Sequence, residues 1–174
     1  MLPAFDTPRL RLEPRTVADL DDCLVMDRDP EVTRFIPGPW ADPVAHRAFV
    51  LARMTADYPD GLGYWTIRDR ATRGFLGWVL LLPVDDAVDA IEIGWRLVRS
   101  AWGQGIASEA AAPVLAHGLS IAGARTIVAD IDPDNVGSMR VAEKIGMPAA
   151  GDLVVLGKPA RRFRAGPALR RVAD

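Results

Sequence analysis

Cysteine and long apolar stretches are scarce in this sequence, and each scarcity excludes a class of protein. The lone cysteine, Cys23, cannot form an internal disulfide and offers no set of thiols for a metal. We therefore expect a cytoplasmic protein without a metal site, in which Cys23 fills part of the core. The longest apolar run ends at Pro83 and is far shorter than the roughly 20 residues of a membrane-spanning helix. The N-terminus also lacks the basic and apolar regions of a signal peptide.

An excess of one charge is also absent. The 174 residues include 23 acidic side chains and 21 lysines and arginines, which gives a formal net charge of -2. This balance is typical neither of a nucleic-acid-binding surface nor of a disordered acidic tail. The length fits one compact domain over residues 1–174, with a core at about 8–166. An anionic ligand must then be bound by local features.

Hydrophobic periodicity predicts a mixed fold. Alternating residues indicate strands, and apolar residues at helical spacing after Thr16, Asp29 and Asp42 indicate capped helices. The predicted strands cover 8–14, 64–67, 75–82, 90–98 and 126–131, with a final strand pair. The predicted helices cover 16–28, a short segment after Pro30, 42–58, 106–122 and 135–145. Turns at 69–73 and 85–89 make the central strands an antiparallel meander. We therefore predict an α/β (α+β) fold, with a mostly antiparallel mixed sheet of about six or seven strands and about four helices on its two faces.

A glycine-containing segment lies where the last meander strand leads into a helix. It reads Trp102-Gly103-Gln104-Gly105-Ile106-Ala107-Ser108. The first turn of a helix has backbone N–H groups without an intrahelical partner, and the helix dipole adds partial positive charge, so an anion can bind there. Glycine permits unusual φ angles and a close approach to the backbone. A plain strand-to-helix turn, in which the glycines serve only the change of direction, is the alternative at this point.

Three segments of the chain together form a recognisable pattern. They are Glu92-Ile93-Gly94-Trp95, the run from Arg99 to Ala110 around the glycine turn, and the run from Asp134 to Met147. In this order they resemble the GNAT superfamily of N-acetyltransferases. The resemblance extends from Leu10 to Arg164 and is greatest to the branch that contains the ribosomal-protein N-terminal acetyltransferases. It implies the GNAT fold and an acyltransferase that moves an acetyl group from acetyl-CoA to a primary amine. A protein N-terminal α-amine is one candidate acceptor.

The resemblance also implies where the coenzyme binds. In this family the pyrophosphate lies on backbone N–H groups of the glycine turn, which here are those of Gly103, Gln104, Gly105, Ile106, Ala107 and Ser108. The pantetheine arm lies beside the preceding strand, which implies Arg96, Leu97 and Val98. Trp102 stands where the family usually has Gln or Arg, although tryptophan is common there in the ribosomal-protein branch. Asn135 matches the family's coenzyme-contacting asparagine, and a helix N-cap is its alternative role.

Two residues are candidates for the chemistry. Glu92 matches a carboxylate that the family often places beside the acceptor amine, and strand alternation sets it on the same face as Arg96. We expect Glu92 to act as the base, directly or through a water, and a strand glutamate that points into solvent or pairs with Arg96 is the alternative. Many family members protonate the departing thiolate with a tyrosine after the second motif, but Tyr58 and Tyr64 lie far upstream. Ser138 is the matching substitute, and a small residue in a first helical turn is the alternative.

The remaining charged residues are expected to be structural or solvated. Glu109 is expected to face solvent or to stabilise the start of its helix through the dipole. A non-catalytic role is expected for His46 and His117. Arg99, Arg140 and Lys144 are expected to be solvated charges, and a contact with the coenzyme's phosphates is their alternative role. Residues 35–40 are the expected lining of the acceptor pocket, and the candidate acceptors are a protein N-terminal amine, a polyamine or antibiotic, and an amino acid. The family implies a homodimer, and neither nucleic acid nor a membrane is an expected partner.

Two rival functions compete with the acetyltransferase. A strand, a Gly-x-Gly turn, a helix and a second strand ending near Asp130 imitate the dinucleotide-binding fingerprint. Against this rival, Ser108 occupies the third glycine position, and the antiparallel meander stands where that fold needs parallel strands alternating with helices. The second rival is a non-catalytic module that binds acetyl-CoA in order to sense it or to scaffold other proteins.

Overall fold

A computed structural model describes residues 2–84, 90–121 and 126–166. Within them the strands are β1 (Phe5–Asp6), β2 (Leu10–Pro14), β3 (Gly63–Asp69), β4 (Phe75–Pro83), β5 (Ala90–Leu97), β6 (Thr126–Ile131), β7 (Ala149–Val155) and β8 (Lys158–Ala165). The α-helices are α1 (Leu20–Asp27), α2 (Pro30–Thr33), α3 (Pro43–Thr55), α4 (Ile106–Ile121) and α5 (Val136–Lys144). Short 3₁₀ turns at Val17–Asp19 and Arg99–Ala101 precede α1 and follow β5. In this part of the chain no helix has the length and apolar content to cross a membrane.

The eight strands of the described residues form one sheet, in the order β1-β2-β3-β4-β5-β6-β8-β7. Neighbouring strands are antiparallel except β5 and β6, which run parallel. The mostly antiparallel mixed sheet confirms the predicted fold class, but the predicted count of about six or seven strands is too low. The additional strand, β1, is only two residues long and pairs Phe5 with Leu12. A strand this short produces no alternation that a sequence pattern can reveal.

Side-chain oxygens cap the helices at their predicted starts. Thr16 and Asp19 form the predicted capping box, and Asp29 and Asp42 accept hydrogen bonds from the first N–H groups of α2 and α3. The segment after Thr16 begins as a 3₁₀ turn before it becomes α1. Helix α3 ends earlier than the predicted residue 58, because Ala56 has an extended backbone. The predicted end of α4 at residue 122 and the predicted turn at 85–89 lie outside the described residues.

Helices cover both faces of the sheet, as predicted. On one face, Val114 of α4 and Ala142 of α5 share a core with Trp65 of β3. On the other face, α1 and α3 cover a second core that contains Cys23 and Trp78. The burial of Cys23 confirms its predicted place in the core.

The parallel strands β5 and β6 separate towards their carboxyl ends. Their pairing runs only from Ala90 with Thr126 to Glu92 with Val128. Beyond this point β5 continues beside β4 to Leu97, while β6 continues beside β8. Beyond Glu92, the edge of β5 that faces β6 has no strand paired with it in the described part of the chain. Open sheets bind ligands in crevices at the carboxyl ends of their strands, so this cleft positions the candidate site.

Candidate active site

The glycine turn connects the end of β5 to α4. Gly103 and Gly105 have φ angles of +72° and +76°, in the region that favours glycine. Among the described residues, none accepts a hydrogen bond from the backbone N–H groups of 103–108. A Cβ atom on Gly103 would meet nothing within 4 Å, so space is open beside the turn. Unpaired N–H groups at the start of a helix, with open space beside them, fit a diphosphate group.

Two residues of the β1–β2 turn hold the glycine turn in place. Glu109, in the first turn of α4, accepts hydrogen bonds from Thr7 Oγ1 at 2.6 Å, Arg9 N at 2.9 Å and Arg9 Nε at 2.7 Å. Arg9 Nη1 also donates to the Gln104 carbonyl oxygen at 3.0 Å. Burial opposes the charge on Glu109, but the hydrogen bonds from Thr7 and Arg9 outweigh it and lower the pKa of the carboxyl. Glu109 therefore faces β2, and the expectation that it faces solvent is wrong.

The backbone of β5 divides its hydrogen-bonding groups between β4 and the cleft. Val98 N–H donates to the Leu76 carbonyl oxygen at 3.0 Å, so the backbone groups of Val98 and Arg96 point towards β4. Those of Leu97 point the other way, because successive residues of a strand alternate. In agreement, the Leu97 carbonyl accepts a hydrogen bond from Trp102 Nε1 at 3.0 Å, at the edge of the cleft. The structure thus brings Leu97 and Trp102 together, and it directs the backbone of Arg96 and Val98 away from them.

The side chain of Arg96 lies in a buried ionic cluster. Its Nη1 donates to Asp27 Oδ1 at 2.7 Å, and Asp27 Oδ2 lies 3.3 Å from His46 Nε2. The ring centroids of Trp40 and Trp78 are 5.0 and 4.9 Å from the guanidinium carbon. The Arg96 and Asp27 side chains are only 8% and 3% exposed, so each needs the other to offset its desolvation. His46 has the structural role expected of it.

The predicted acceptor lining, residues 35–40, is a compact loop built around Trp40. The indole Nε1 donates to the Ile36 carbonyl oxygen at 2.8 Å. Gly38 lies so close to the ring that a Cβ atom there would overlap it. The ring also lies beside the Arg96 guanidinium and packs edge-on against His46 and Phe49. The loop is thereby held over the face of β5 that is expected to meet the acceptor.

Glu92 lies where β6 separates from β5, and its side chain is exposed. An ion pair lies nearby on β6 and β8, where Arg162 Nε and Nη2 donate to Asp130 Oδ1 and Oδ2 at 2.7 and 2.6 Å. The hydrogen bond to Asp130 and, more weakly, the charges of Asp130 and Glu92 outweigh burial and raise the pKa of Arg162. Glu92 therefore stands in a charged environment at the point where the cleft opens.

Asn135 and Ser138 lie at the start of α5. Asn135 Oδ1 accepts a hydrogen bond from Ser138 N at 3.1 Å, which is the N-cap geometry considered as its alternative role. The Ser138 side chain is partly buried, and within the described ranges no hydrogen bond involves its hydroxyl group. Capping uses the amide oxygen of Asn135 and leaves its amide nitrogen for another partner.

A groove of about 510 Å³ lies between α1, α2 and the end of β5. Val25, Met26, Val32 and Val98 form its apolar lining. At the rim, Arg99 Nε pairs with Asp29 Oδ2 at 3.0 Å. The Arg99 side chain is 60% exposed, so this ion pair lies at the surface, in keeping with the solvated charge expected for Arg99.

The other singled-out residues take structural or solvated positions. His117 Nε2 lies 2.9 Å from the Gly61 carbonyl oxygen, and its ring packs against Trp65 with centroids 5.7 Å apart. Arg140 and Lys144 are exposed on α5. Tyr58 and Tyr64 pack against each other within the second core. Across residues 2–84, 90–121 and 126–166, no group of three or more His, Cys, Asp or Glu side chains is placed to hold a metal ion.

Arg9 is the site residue that sequence reasoning missed. It lies 100 positions before Glu109, and no local pattern links two residues so far apart. The only available signal was a pair of opposite charges, Arg9 at the start of the first strand and Glu109 just after the glycine turn. Such pairs are too common to predict a contact.

Comparison with protein families and curated proteins finds close similarity to acetyltransferases. Residues 9–148 match the family described as the acetyltransferase (GNAT) domain. The protein YkkB of Bacillus subtilis (strain 168), described as uncharacterized, is 34% identical over 145 residues, which cover 81% of this chain and 83% of YkkB. YoaA of the same strain, described as an uncharacterized N-acetyltransferase, is 27% identical over 154 residues, covering 88% of this chain and 87% of YoaA.

Solved structures of acetyltransferases share the fold. An acetyltransferase from Agrobacterium tumefaciens (strain C58) has a TM-score of 0.77 at 24% identity and covers 96% of both chains. A Vibrio cholerae protein provisionally assigned as a ribosomal-protein-serine acetyltransferase has a TM-score of 0.74 at 17% identity, covering 96% of this chain and 100% of its own. The spermidine N-acetyltransferase of Vibrio cholerae, solved with CoA and spermine, has a TM-score of 0.70 at 15% identity, covering 91% of this chain and 94% of its own. At these identities the likeness supports the fold.

Proposed function

This chain belongs to the GNAT acetyltransferase family, and from that premise we propose that it transfers the acetyl group of acetyl-CoA to a primary amine. The resemblance seen in the sequence is confirmed, and the chain is an acyltransferase with acetyl-CoA as its co-substrate. The dinucleotide-binding rival is wrong, because β3, β4 and β5 form an antiparallel meander. The non-catalytic module is disfavoured by relatives that are themselves N-acetyltransferases.

The unpaired N–H groups of the glycine turn are the observation that carries the proposal. We assign the pyrophosphate of acetyl-CoA to the backbone of 103–108, which combines a helix N-terminus with positive φ angles at Gly103 and Gly105. An anion bound there is stabilised both by hydrogen bonds and by the helix dipole. Asn135 is assigned a contact with the coenzyme through its amide nitrogen, which capping of α5 leaves unused.

The open edge of β5 is the proposed place for the pantetheine arm. A chain with amide groups can hydrogen-bond to an unpaired strand edge as an added strand does. Leu97 and Trp95 direct their backbone groups to this edge, whereas Arg96 and Val98 direct theirs to β4. Of the three residues predicted from the family, Leu97 is therefore assigned the direct contact. Its carbonyl keeps a second lone pair beside the hydrogen bond from Trp102.

Acetyl-CoA supplies the activated acyl group as a thioester, and the protein supplies the proton transfers. We assign Glu92 as the base that collects a proton from the acceptor amine, directly or through a water, because it is exposed where β5 and β6 separate. Ser138 is assigned to the departing sulfur. Its hydroxyl group makes no hydrogen bond to the described residues and remains available as a donor.

The acceptor is proposed to approach over the loop built around Trp40. This loop and Glu92 lie on the same side of the sheet, because Trp40 contacts Arg96, and Arg96 lies on the same face of β5 as Glu92. A protein N-terminal α-amine is the finer candidate, supported by the resemblance to the ribosomal-protein branch. Fold analogy alone is weak support for an acceptor, so the class of amine is settled by experiment.

Release of free thiol from acetyl-CoA across a panel of amines tests the proposal. The panel includes peptides with free N-termini, the same peptides with blocked N-termini, spermidine and single amino acids. We expect release that depends on the amine and that disappears when the N-terminus is blocked. Coenzyme binding without amine-dependent release would instead establish the non-catalytic module.

A cytoplasmic location and a homodimer belong to the same proposal. The lone thiol, Cys23, is buried and needs no oxidising compartment. The homodimer is supported only by the resemblance to the family. Sedimentation of the purified full chain measures the oligomeric state directly.

A further inference from the structure

We propose that Arg9 is a positioning residue for the coenzyme's pyrophosphate, which neutralises Glu109 and orients the glycine turn. The inference rests on the proposed function, because it requires coenzyme A to bind at 103–108. Arg9 reaches the turn from the far edge of the sheet, and neither the glycine motif nor the family resemblance pointed to it.

Glu109 presents a difficulty for an anion site at the start of α4. A carboxylate in the first turn of a helix ordinarily interacts with the free N–H groups there, and it would compete with a bound phosphate. In this structure both of its oxygens are occupied elsewhere. Oε1 accepts from Thr7 Oγ1 and Arg9 N, and Oε2 accepts from Arg9 Nε at 2.7 Å and lies 2.6 Å from Arg9 Nη2 in an ion pair. Glu109 is thus kept away from the N–H groups that the pyrophosphate needs.

The charge of Arg9 also cancels the repulsion that Glu109 would exert. Arg9 Nη2 lies 3.6 Å from the position that a Cβ atom on Gly105 would take, so the guanidinium stands beside the turn. A carboxylate and a pyrophosphate within a few ångströms repel each other, and the repulsion is only partly screened at a surface. Removal of Arg9 would leave this negative charge uncompensated at the binding site.

Arg9 orients the peptide group between Gln104 and Gly105. Its Nη1 donates to the Gln104 carbonyl oxygen at 3.0 Å, which points that carbonyl towards Arg9. The peptide bond is planar and trans, so the N–H of Gly105 points in the opposite direction from this carbonyl. The hydrogen bond therefore turns the Gly105 N–H away from Arg9 and towards the side where an anion can approach.

Calorimetric titration of coenzyme A into Arg9→Met tests the proposal. We expect binding about tenfold weaker than in wild type, since an uncompensated charge at this range is worth a factor of this order. Arg11→Met is the matched control, because Arg11 lies two residues further along, in β2, but pairs with Asp6 and Glu13. Its coenzyme affinity should stay within about twofold of wild type.

A double variant separates the charge of Arg9 from a merely structural role. Arg9→Met with Glu109→Gln removes both charges, and we expect it to bind coenzyme A more tightly than Arg9→Met alone. S-acetylpantetheine, which carries no phosphate, should serve as acetyl donor equally well for wild type and Arg9→Met. Equal affinity of Arg9→Met and Arg11→Met, or no recovery in the double variant, would overturn the proposal while the proposed function stands. Wild type that binds no coenzyme A would overturn both.

Discussion

At the scale of single residues, the partners of each polar side chain separate structure from chemistry. Asp27 and Arg96 are buried and form an ion pair, although Arg96 Nε has no hydrogen-bond partner among the described residues. Burial raises the pKa of Cys23 to about 12, so its thiol is not a nucleophile at neutral pH. Glu92 is exposed at the cleft, and the hydroxyl group of Ser138 has no partner in the described ranges. We propose Glu92 and Ser138 as the side chains for proton transfer.

Glu92→Gln is expected to lower kcat/KM about a hundredfold at pH 7, because the amide cannot collect the proton of the acceptor. The loss should shrink as pH rises, since an α-amine with a pKa near 8 then loses its proton to water. The pH profiles of kcat/KM for wild type and variant check this with one good acceptor. Glu13→Gln, in β2 beside Arg11 and Arg73, is the control. Parallel profiles of equal height would exclude Glu92 as the base.

Ser138→Ala is expected to reduce kcat about tenfold to a hundredfold, because the hydroxyl group should act on the departing sulfur. Coenzyme affinity should change little, since the resting thioester does not need this proton. Steady-state kinetics and coenzyme titration separate the two effects. Ser120→Ala is the control, because that hydroxyl group bonds only to the His117 carbonyl at the end of α4. An unchanged kcat would return Ser138 to a structural role.

At the scale of secondary structure elements, the close approach of β4 and β5 sets the end of the cleft. Gly77 has a φ angle of +141°, and a Cβ atom there would overlap the backbone of Arg96 and Leu97. The approach of β4 thus depends on glycine at this position. It places Leu97, whose carbonyl faces the cleft, at the start of the glycine turn.

Gly77→Ala is therefore expected to destabilise the protein by about 3 kcal/mol, through overlap with backbone and a strained φ angle. Urea unfolding of both proteins measures the change. Gly74→Ala is the control in the preceding turn, where the added Cβ would meet only the Thr72 hydroxyl group at 3.2 Å. That change should cost under about 1 kcal/mol. Equal costs for the two variants would contradict the account of Gly77.

Gly105→Val is expected to abolish the thermal stabilisation by coenzyme A. A β-branched residue is strongly disfavoured at a φ angle of +76°, so the turn must change shape. Gly146→Val is the matched control, because Gly146 has a φ angle of +87° and nothing within 4 Å of an added Cβ, but follows α5. Both variants should be strained, but only Gly105→Val should lose the rise in melting temperature that coenzyme A causes. In wild type this rise grows with coenzyme concentration. A full shift in Gly105→Val would refute the assignment of the turn.

Signals carried by a few neighbouring residues predicted the elements and the glycine turn. The capping box at Thr16 and Asp19 and the alternation in β5 are of this kind. The separation of β5 from β6 was not predictable, because pairing that stops at Glu92 depends on how β6 pairs with β8. The contact of Arg9 with Glu109 was equally hidden, since it depends on the strand order of the whole sheet.

At the scale of the whole molecule, groups with shifted pKa values limit the pH range of stability from both sides, among them Glu109 and Cys23. The folded-state pKa of Glu109 is lower than its ordinary value of 4.5, so its stabilising effect is present above that value and is lost as pH falls through the folded pKa. The folded-state pKa of Cys23 is raised from 9.0 to about 12. Its effect is therefore fully present below pH 9.0 and is lost as pH rises towards 12.

We expect the free energy of unfolding to be level between about pH 5 and pH 9 and to fall on both sides, with the alkaline fall set largely by Cys23. The shift of this thiol from 9.0 to about 12 corresponds to a loss on the order of 4 kcal/mol once it ionises. That is a large share of the stability of an ordinary domain, which is about 5–15 kcal/mol.

Urea unfolding from pH 4 to about pH 11 checks the shape of the curve. Cys23→Ala should lower the level region by roughly 1 kcal/mol through the cavity it leaves, and should flatten the alkaline side because no thiol remains to ionise. Glu109→Gln should flatten the acid side alone. Identical alkaline slopes for wild type and Cys23→Ala would show that other groups, and not the buried thiol, set the upper limit.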